Sequence, residues 1–187
     1  MINKAVNEIV NSLISYLSAN GWGGACNGLG IQLMNGKVVG KEQQNNPDYN
    51  YIGIDDRKGT YCYIRDNANV ISLTNSSIGA CGIGQGVSVQ LRAVGVSNNP
   101  KNTAQLMADS LYSLLYNANP TVASSPNLFN DISISPAAIS TDYFAIYQEE
   151  TDTAPTGLGS NNLQLCAVDF ELTFDLVGCA LPSYKLC

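Results

Sequence analysis

The residues in this chain whose types and spacing come nearest to chemistry are three groups of carboxylates: Asp55-Asp56, Glu149-Glu150-Asp152, and Asp169 with Glu171 and Asp175. The last three recur at even spacing, so a strand would put them on one face. Two carboxylates flanking a cleft suit glycoside hydrolysis, and such a face also suits a divalent ion. The simpler reading is a solvated strand face, and neighbouring acids such as Glu149-Glu150 read as more solvated still. The chain has no histidine. That removes the commonest general base, every Ser-His-Asp or Cys-His arrangement and any imidazole metal site. The six cysteines (Cys26, Cys62, Cys81, Cys166, Cys179, Cys187) form no CxxC pair, so a zinc site is not expected. The glycines of Cys81–Gly86 precede a strand. A dinucleotide loop follows one, so a turn or bulge explains them better. The expectation is a non-enzyme with no catalytic residue, cofactor or metal.

Composition points the same way. The 187 residues suffice for one domain with a real core. A net charge of -6 argues against nucleic-acid recognition, which needs clustered Lys and Arg. Only 13% of residues are charged, about half the usual share. Amides and hydroxyls take their place, and neutral polar groups are cheaper to desolvate against another protein than ions are. An AT-rich genome, which enriches Asn codons, accounts for the same bias. The N-terminus carries Lys4 and Glu8 inside its apolar pattern, unlike a signal peptide. The expected setting is therefore reducing, with thiols acting as small apolar groups and one disulfide left open. No apolar run is long enough to span a bilayer.

The elements that must position these groups follow from periodicity. Ile2, Val6, Ile9, Val10, Leu13, Ile14 and Leu17 predict an amphipathic helix. Asn20-Gly21 would stop it, and Trp22 would be the single aromatic anchor of a Gly-rich loop. Asn35-Gly36 predicts a tight hairpin. Tyr51–Ile54 and Tyr61–Ile64 read as a strand pair turning at Asp55–Gly59, with Val70–Leu73 as a further strand and a turn region up to Gly86. Val87, Val89, Leu91 and Ala93 alternate with Ser88, Gln90, Arg92, Val94 and Val96. The second set is polar first and apolar later, which predicts a central strand partly covered on both faces. Asn99-Pro100 reads as the cap and first residue of a helix carrying Ala104, Met107, Ala108, Leu111, Leu114 and Leu115 and ending at Asn117. Thr121–Asn130 reads as a linker, Asp131–Ile134 and Tyr143–Tyr147 as short strands, and Leu163–Val177 as a long half-buried strand. The tyrosines at 49, 51, 61 and 63 suit core packing on the sheet better than a sugar-stacking face. The predicted fold class is α+β: a mixed, mainly antiparallel β-sheet packed with two amphipathic helices on one side. Residues 1–187 form a single domain, with an extended hairpin at about 35–60 and a mobile loop at about 149–162.

This order of elements resembles the tail-completion and tail-terminator proteins of tailed bacteriophages. The resemblance rests on the helix Ile2–Ala19, the strand-turn-helix Val87–Leu115 and the late strand Cys166–Phe174. It implies a structural virion subunit that forms a ring at the head–tail joint or tail end, together with other tail or neck proteins. Assembly would take place in the host cytoplasm. It implies subunit contacts through exposed loops, Asn35–Lys58 and Gln148–Asn162. The candidate interface residues are Tyr49, Tyr51, Asp55, Asp56, Arg57, Lys58, Glu149, Glu150 and Asp152. Two other classes fit less closely. One is a carbohydrate-binding or glycan-hydrolysing protein using the acidic strand face and the tyrosines. The other is a pilin-like surface subunit, which Asn3, Lys4, Asn7 and Glu8 argue against.

Overall fold

The computed structural model describes residues 2–29, 31–34, 37–42, 50–52, 54, 59–79, 82–120, 129–151 and 162–176. The first helix, α1 (Ile2–Ala19), ends where its sequence says it should. Asn20 N and Trp22 N both donate to Leu17 O at 3.1 Å, and Gly21 takes the left-handed φ of +100° between them. After this turn the chain forms β1 (Cys26–Asn27), β2 (Ile31–Met34), β3 (Lys37–Glu42), β4 (Asn50–Ile52), β5 (Tyr61–Gly79) and β6 (Gly82–Ser97). Then come α2 (Ala104–Tyr116), β7 (Phe129–Ser140), α3 (Tyr143–Thr151) and β8 (Gln164–Leu176). The fold is α+β: a five-stranded, mostly antiparallel sheet with three helices, beside a three-stranded sheet ordered β2-β3-β4.

The large sheet runs β1-β5-β6-β8-β7. Its one parallel pairing is the short β1 against β5. As the alternation of residues 87–96 predicts, β6 is central and covered on both faces. Cys62, Ile64, Leu91, Ala93, Val168, Phe170 and Phe174 lie on the first face and pack against α1 and α2 in the main core. Val94, Val96, Leu165 and Ala167 lie on the second, with Tyr61 and Tyr63, and form a smaller core around Ile146 of α3. Tyr61 and Tyr63 are thus core residues, not a sugar-stacking surface.

Gly95 lies in the main core where there is no room for a side chain. It pairs with Cys62 on one side and Cys166 on the other. A Cβ there would lie 2.7 Å from Cys166 Sγ, 2.9 Å from the Trp22 ring tip and 3.1 Å from Leu111. The absent side chain makes the notch into which the tryptophan, delivered by the Gly21 turn, is driven.

Five expectations are corrected. Residues 143–147 are helical, so a third helix covers the face opposite α1 and α2. The sequence Tyr-Phe-Ala-Ile-Tyr favours a strand, but Asp142 caps it as a helix. Asp142 Oδ1 accepts from Phe144 N at 3.0 Å and Ala145 N at 3.1 Å. Because α3 runs to Thr151, the expected loop at 149–162 begins as helix. The second correction concerns α2, whose N-cap is Thr103, with Oγ1 accepting from Leu106 N. Asn99 instead closes a turn around Pro100, accepting from Lys101 N through its side chain and Asn102 N through its carbonyl. Third, Tyr51 pairs with Lys41 of β3 and not with β5, because β6 and β1 already occupy the two edges of β5 near Tyr63. Fourth, β5 continues from Tyr61 to Gly79 through register shifts, and β6 starts at Gly82, so no turn region reaches Gly86. Finally, β7 runs on to Ser140. It absorbs a register shift between Asn130 and Ser133, where Asp131 adopts φ +53°, and another at Pro136.

Candidate functional site

Among the described residues the richest cluster of ionic groups lies on the second face of the large sheet, at the C-terminal end of α3. Its floor is a single row across three strands: Arg65 of β5 is opposite Arg92 of β6, and Arg92 is opposite Asp169 of β8. Two arginines directly opposite each other repel. Three carboxylates compensate. Arg92 holds Asp169 in a two-pronged grip, Nε to Oδ1 at 2.5 Å and Nη2 to Oδ2 at 3.0 Å. It also donates through Nη1 to Glu149. Arg65 donates to Glu150 from Nε at 2.8 Å and lies 2.6 Å from it through Nη2, while its Nη1 bonds the Asp66 carbonyl. The Tyr63 hydroxyl donates to Glu150 Oε2 at 2.8 Å.

The electrostatics follow from this packing. Hydrogen bonds and charge from Asp169 and Glu149 keep Arg92 fully protonated, raising its pKa against the opposing effect of burial. Burial, reinforced by the Glu150 charge, pushes the Tyr63 hydroxyl well above its ordinary range. Burial also raises Asp66, with Arg65 acting against it. Every strong donor in this group already has an acceptor inside the chain. The site anchors α3 to the sheet.

The predicted acids are placed as follows. Glu149 and Glu150 are not solvated loop residues. Glu150 is 4% exposed and tied to β5, and Glu149 is 51% exposed and paired with Arg92. The reason is local: one helical turn of α3 points both toward arginines that sequence spacing could not bring together. Asp169, Glu171 and Asp175 do share a face, as their spacing predicts, but Asp169 is bound by Arg92 and Glu171 accepts from the Ser88 hydroxyl. Among the described residues no three or more Cys, Asp or Glu side chains form a metal-binding group. Of the candidate interface residues, Glu149, Glu150 and the β4 residue Tyr51 fall on described backbone; Tyr49, Asp55, Asp56, Arg57, Lys58 and Asp152 lie outside the described residues.

Sequence reasoning missed Arg65 and Tyr63 as partners of α3. The usable signal was Arg65 falling on the same face as Tyr61 and Tyr63, next to acids elsewhere in need of cations. A second polar group ties the start of α2 to the sheet. The Thr60 and Ser97 hydroxyls lie 2.7 Å apart, and Asn102 Nδ2 donates to both at 3.1 Å. This satisfies Ser97, a fully buried polar residue.

The described cysteines, Cys26, Cys62 and Cys166, are free thiols. Burial pushes Cys166 up to about 12 and Cys62 higher still, so both are inert neutral groups, as thiols acting as small hydrophobes should be. No helix among the described residues is long and apolar enough to cross a membrane. Neither protein-family models nor curated proteins give a match to this chain.

Proposed function

We propose that this chain is a structural subunit that joins copies of itself, head to tail, into a closed ring, working without catalysis or cofactor. The observation that carries this reading is the pair of open edges of the large sheet. Among the described strands β7 is an edge along its whole length, and no charged residue occurs from Ile132 to Ser140. At the opposite edge, among the described residues, β1 covers only Tyr63 and Ile64, and no described strand pairs with β5 on that side from Arg65 onward. Following the register across the sheet, Ala138 is level with Arg65, and Phe129 is level with Asn75. The two open edges therefore span the same height. Strand directions alternate from β5 through β6 and β8 to β7, so β7 of one copy and β5 of the next would continue the alternation. Such a contact is heterologous, and it closes into a ring when the rotation per subunit permits. A long edge without charge, such as β7, is otherwise guarded against pairing.

Within that reading, the resemblance of the strand-turn-helix and late strand to phage tail-completion proteins supports a place in the ring at a head–tail joint or tail end. Native light scattering on the purified chain is expected to show a closed oligomer. The double substitution Ser133→Lys and Ser135→Lys, at exposed β7 positions, is expected to give a folded monomer. A monomeric parent protein, or a variant with the parent's mass, sinks the proposal.

A further inference from the structure

An asparagine followed by glycine carries its own nucleophile. The glycine backbone nitrogen, once it has given up its proton, attacks the asparagine Cγ. A C–N bond closes a succinimide ring, and the side-chain nitrogen takes up a proton and leaves as ammonia. Water then opens the ring at either carbonyl, giving aspartate or isoaspartate. Glycine allows this because no Cβ shields its nitrogen and its backbone turns freely. The chain has three such pairs, Asn20-Gly21, Asn27-Gly28 and Asn35-Gly36. The third lies outside the described residues.

The two described pairs differ at each requirement of this reaction. At Asn27-Gly28 both reacting groups are committed. Gly28 N donates to Ile64 O at 2.7 Å. Asn27 Nδ2 donates to Asn7 Oδ1 at 3.1 Å and to Asn11 Oδ1 at 2.8 Å, and its Oδ1 accepts from Leu29 N at 2.9 Å. Gly28 is buried, and a Cβ on it would lie 2.8 Å from Ile64 O, so the backbone has no room to turn.

At Asn20-Gly21 the groups are open. Both residues are exposed and lie just past the last residue of α1. The Asn20 side chain makes one bond, from Nδ2 to Tyr16 O at 2.8 Å. Among the described residues nothing accepts from the Gly21 N–H. A Cβ on Gly21 would have nothing within 4 Å, so the turn has space to rotate.

We propose that Asn20 is a self-modification site: attacked by the Gly21 nitrogen, it converts in the folded chain to aspartate and isoaspartate, while Asn27 is held as the amide. Water is the only co-reactant. The product matters to the fold. The bond from Nδ2 to Tyr16 O is lost, and a carboxylate stands at the C-terminal end of α1, where the helix dipole disfavours negative charge. Isoaspartate also routes the main chain through Cβ, which adds a methylene two residues ahead of Trp22 and its seat at Gly95. The inference does not depend on the assembly reading.

The purified chain is aged in mildly alkaline buffer, folded or unfolded in guanidinium chloride. Chymotrypsin cuts after Trp22 and places the two asparagines in different peptides, whose amide and acid forms mass spectrometry counts. Each rate is divided by the rate of the same asparagine in the unfolded chain. Folding is expected to slow Asn27 by roughly tenfold or more beyond Asn20, the effect of one or two hydrogen bonds that must break first. Asn20→Gln, which would need a larger ring, is expected to stop the conversion at residue 20 with the circular dichroism unchanged. The proposal is overturned if folding protects Asn20 as strongly as Asn27, or if Asn20→Gln converts as fast as the parent.

Discussion

The two faces of the large sheet are held by different forces. The first face, under α1 and α2, is apolar across four strands, β5, β6, β8 and β7, and its buried thiols behave as methyl-sized groups. The second face is divided. Its upper half is a small apolar core under α3, where Ile146 is the one buried helix residue. Its lower half is a row of charge, Arg65, Arg92 and Asp169. Helix α3 is nine residues long with acids in its last turn and no base there. A helix so short and so charged against its own dipole does not persist alone. Arg65 and Arg92, supplied by the sheet, replace what its sequence lacks. The first face shows helices that are stable enough to shape a core. The second shows a helix that the core has to recruit.

The sharpest way to break this contrast is to truncate the first face. Phe170, fully buried in β8, is expected to cost about 4 kcal/mol when replaced by alanine, measured by urea unfolding. A loss below ~1.5 kcal/mol would show that the main core carries less than its packing suggests. On the second face, Glu150→Leu strands Arg65 and the Tyr63 hydroxyl, and about 2–3 kcal/mol should be lost. The double variant Arg65→Met with Glu150→Leu should regain the Arg65 share of that loss, because two apolar side chains replace an ion pair at little cost, while the Tyr63 hydroxyl stays unpaired. If the double variant is no better than the single one, ion pairing is not what holds α3. The half-exposed Glu149 serves as internal contrast: Glu149→Gln is expected to cost only ~0.5 kcal/mol or less.

The thiols test the first face by pH. Unfolded cysteines ionise near ~8.5, while Cys166 in the folded chain is pushed up to about 12 and Cys62 is raised further. Above pH ~8.5 the unfolded state therefore binds fewer protons than the folded one, and stability falls as pH rises. This contribution is fully present below pH ~8.5 and is lost progressively toward the folded value. Between pH 7.5 and 9.5 the two thiols together should remove about 3 kcal/mol. Chemical denaturation across that range checks it. Cys62→Ala with Cys166→Ala should flatten the slope; an unchanged slope assigns the alkaline loss elsewhere.

Much of the fold was legible because local periodicity and tertiary burial agree. The seven apolar positions of α1, the Asn20-Gly21 stop, both faces of β6 and the whole of β8 follow from side-chain spacing alone. The polar-then-apolar switch along Ser88–Val96 predicted cover on the second face of β6, but the element that supplies it, α3, read as a strand. That helix was illegible because Tyr143–Tyr147 is β-prone and its stabilising partners, Tyr63 and Arg65, are more than seventy residues away in sequence. The Asn99-Pro100 cap failed for the same kind of reason. Ser97, Thr60 and Asn102 tie those residues into a turn first. The ion-pair site was half visible: its acids were singled out from spacing, but their cations depend on strand register, which spacing does not give.

One seam of the sheet has a consequence for how the molecule opens. All thirteen residues of β8 pair with β6 in unbroken register, from Gln164 opposite Ser97 to Leu176 opposite Gln85. The seams on either side, β5 with β6 and β7 with β8, each slip twice. Thermal breathing will therefore start at the slipped outer seams and stop at the unbroken one. The amide protons shared between β6 and β8 are then the slowest in the chain to exchange with solvent, and they set the clock for global unfolding. The outer strands can peel and re-pair while that central ribbon stays closed.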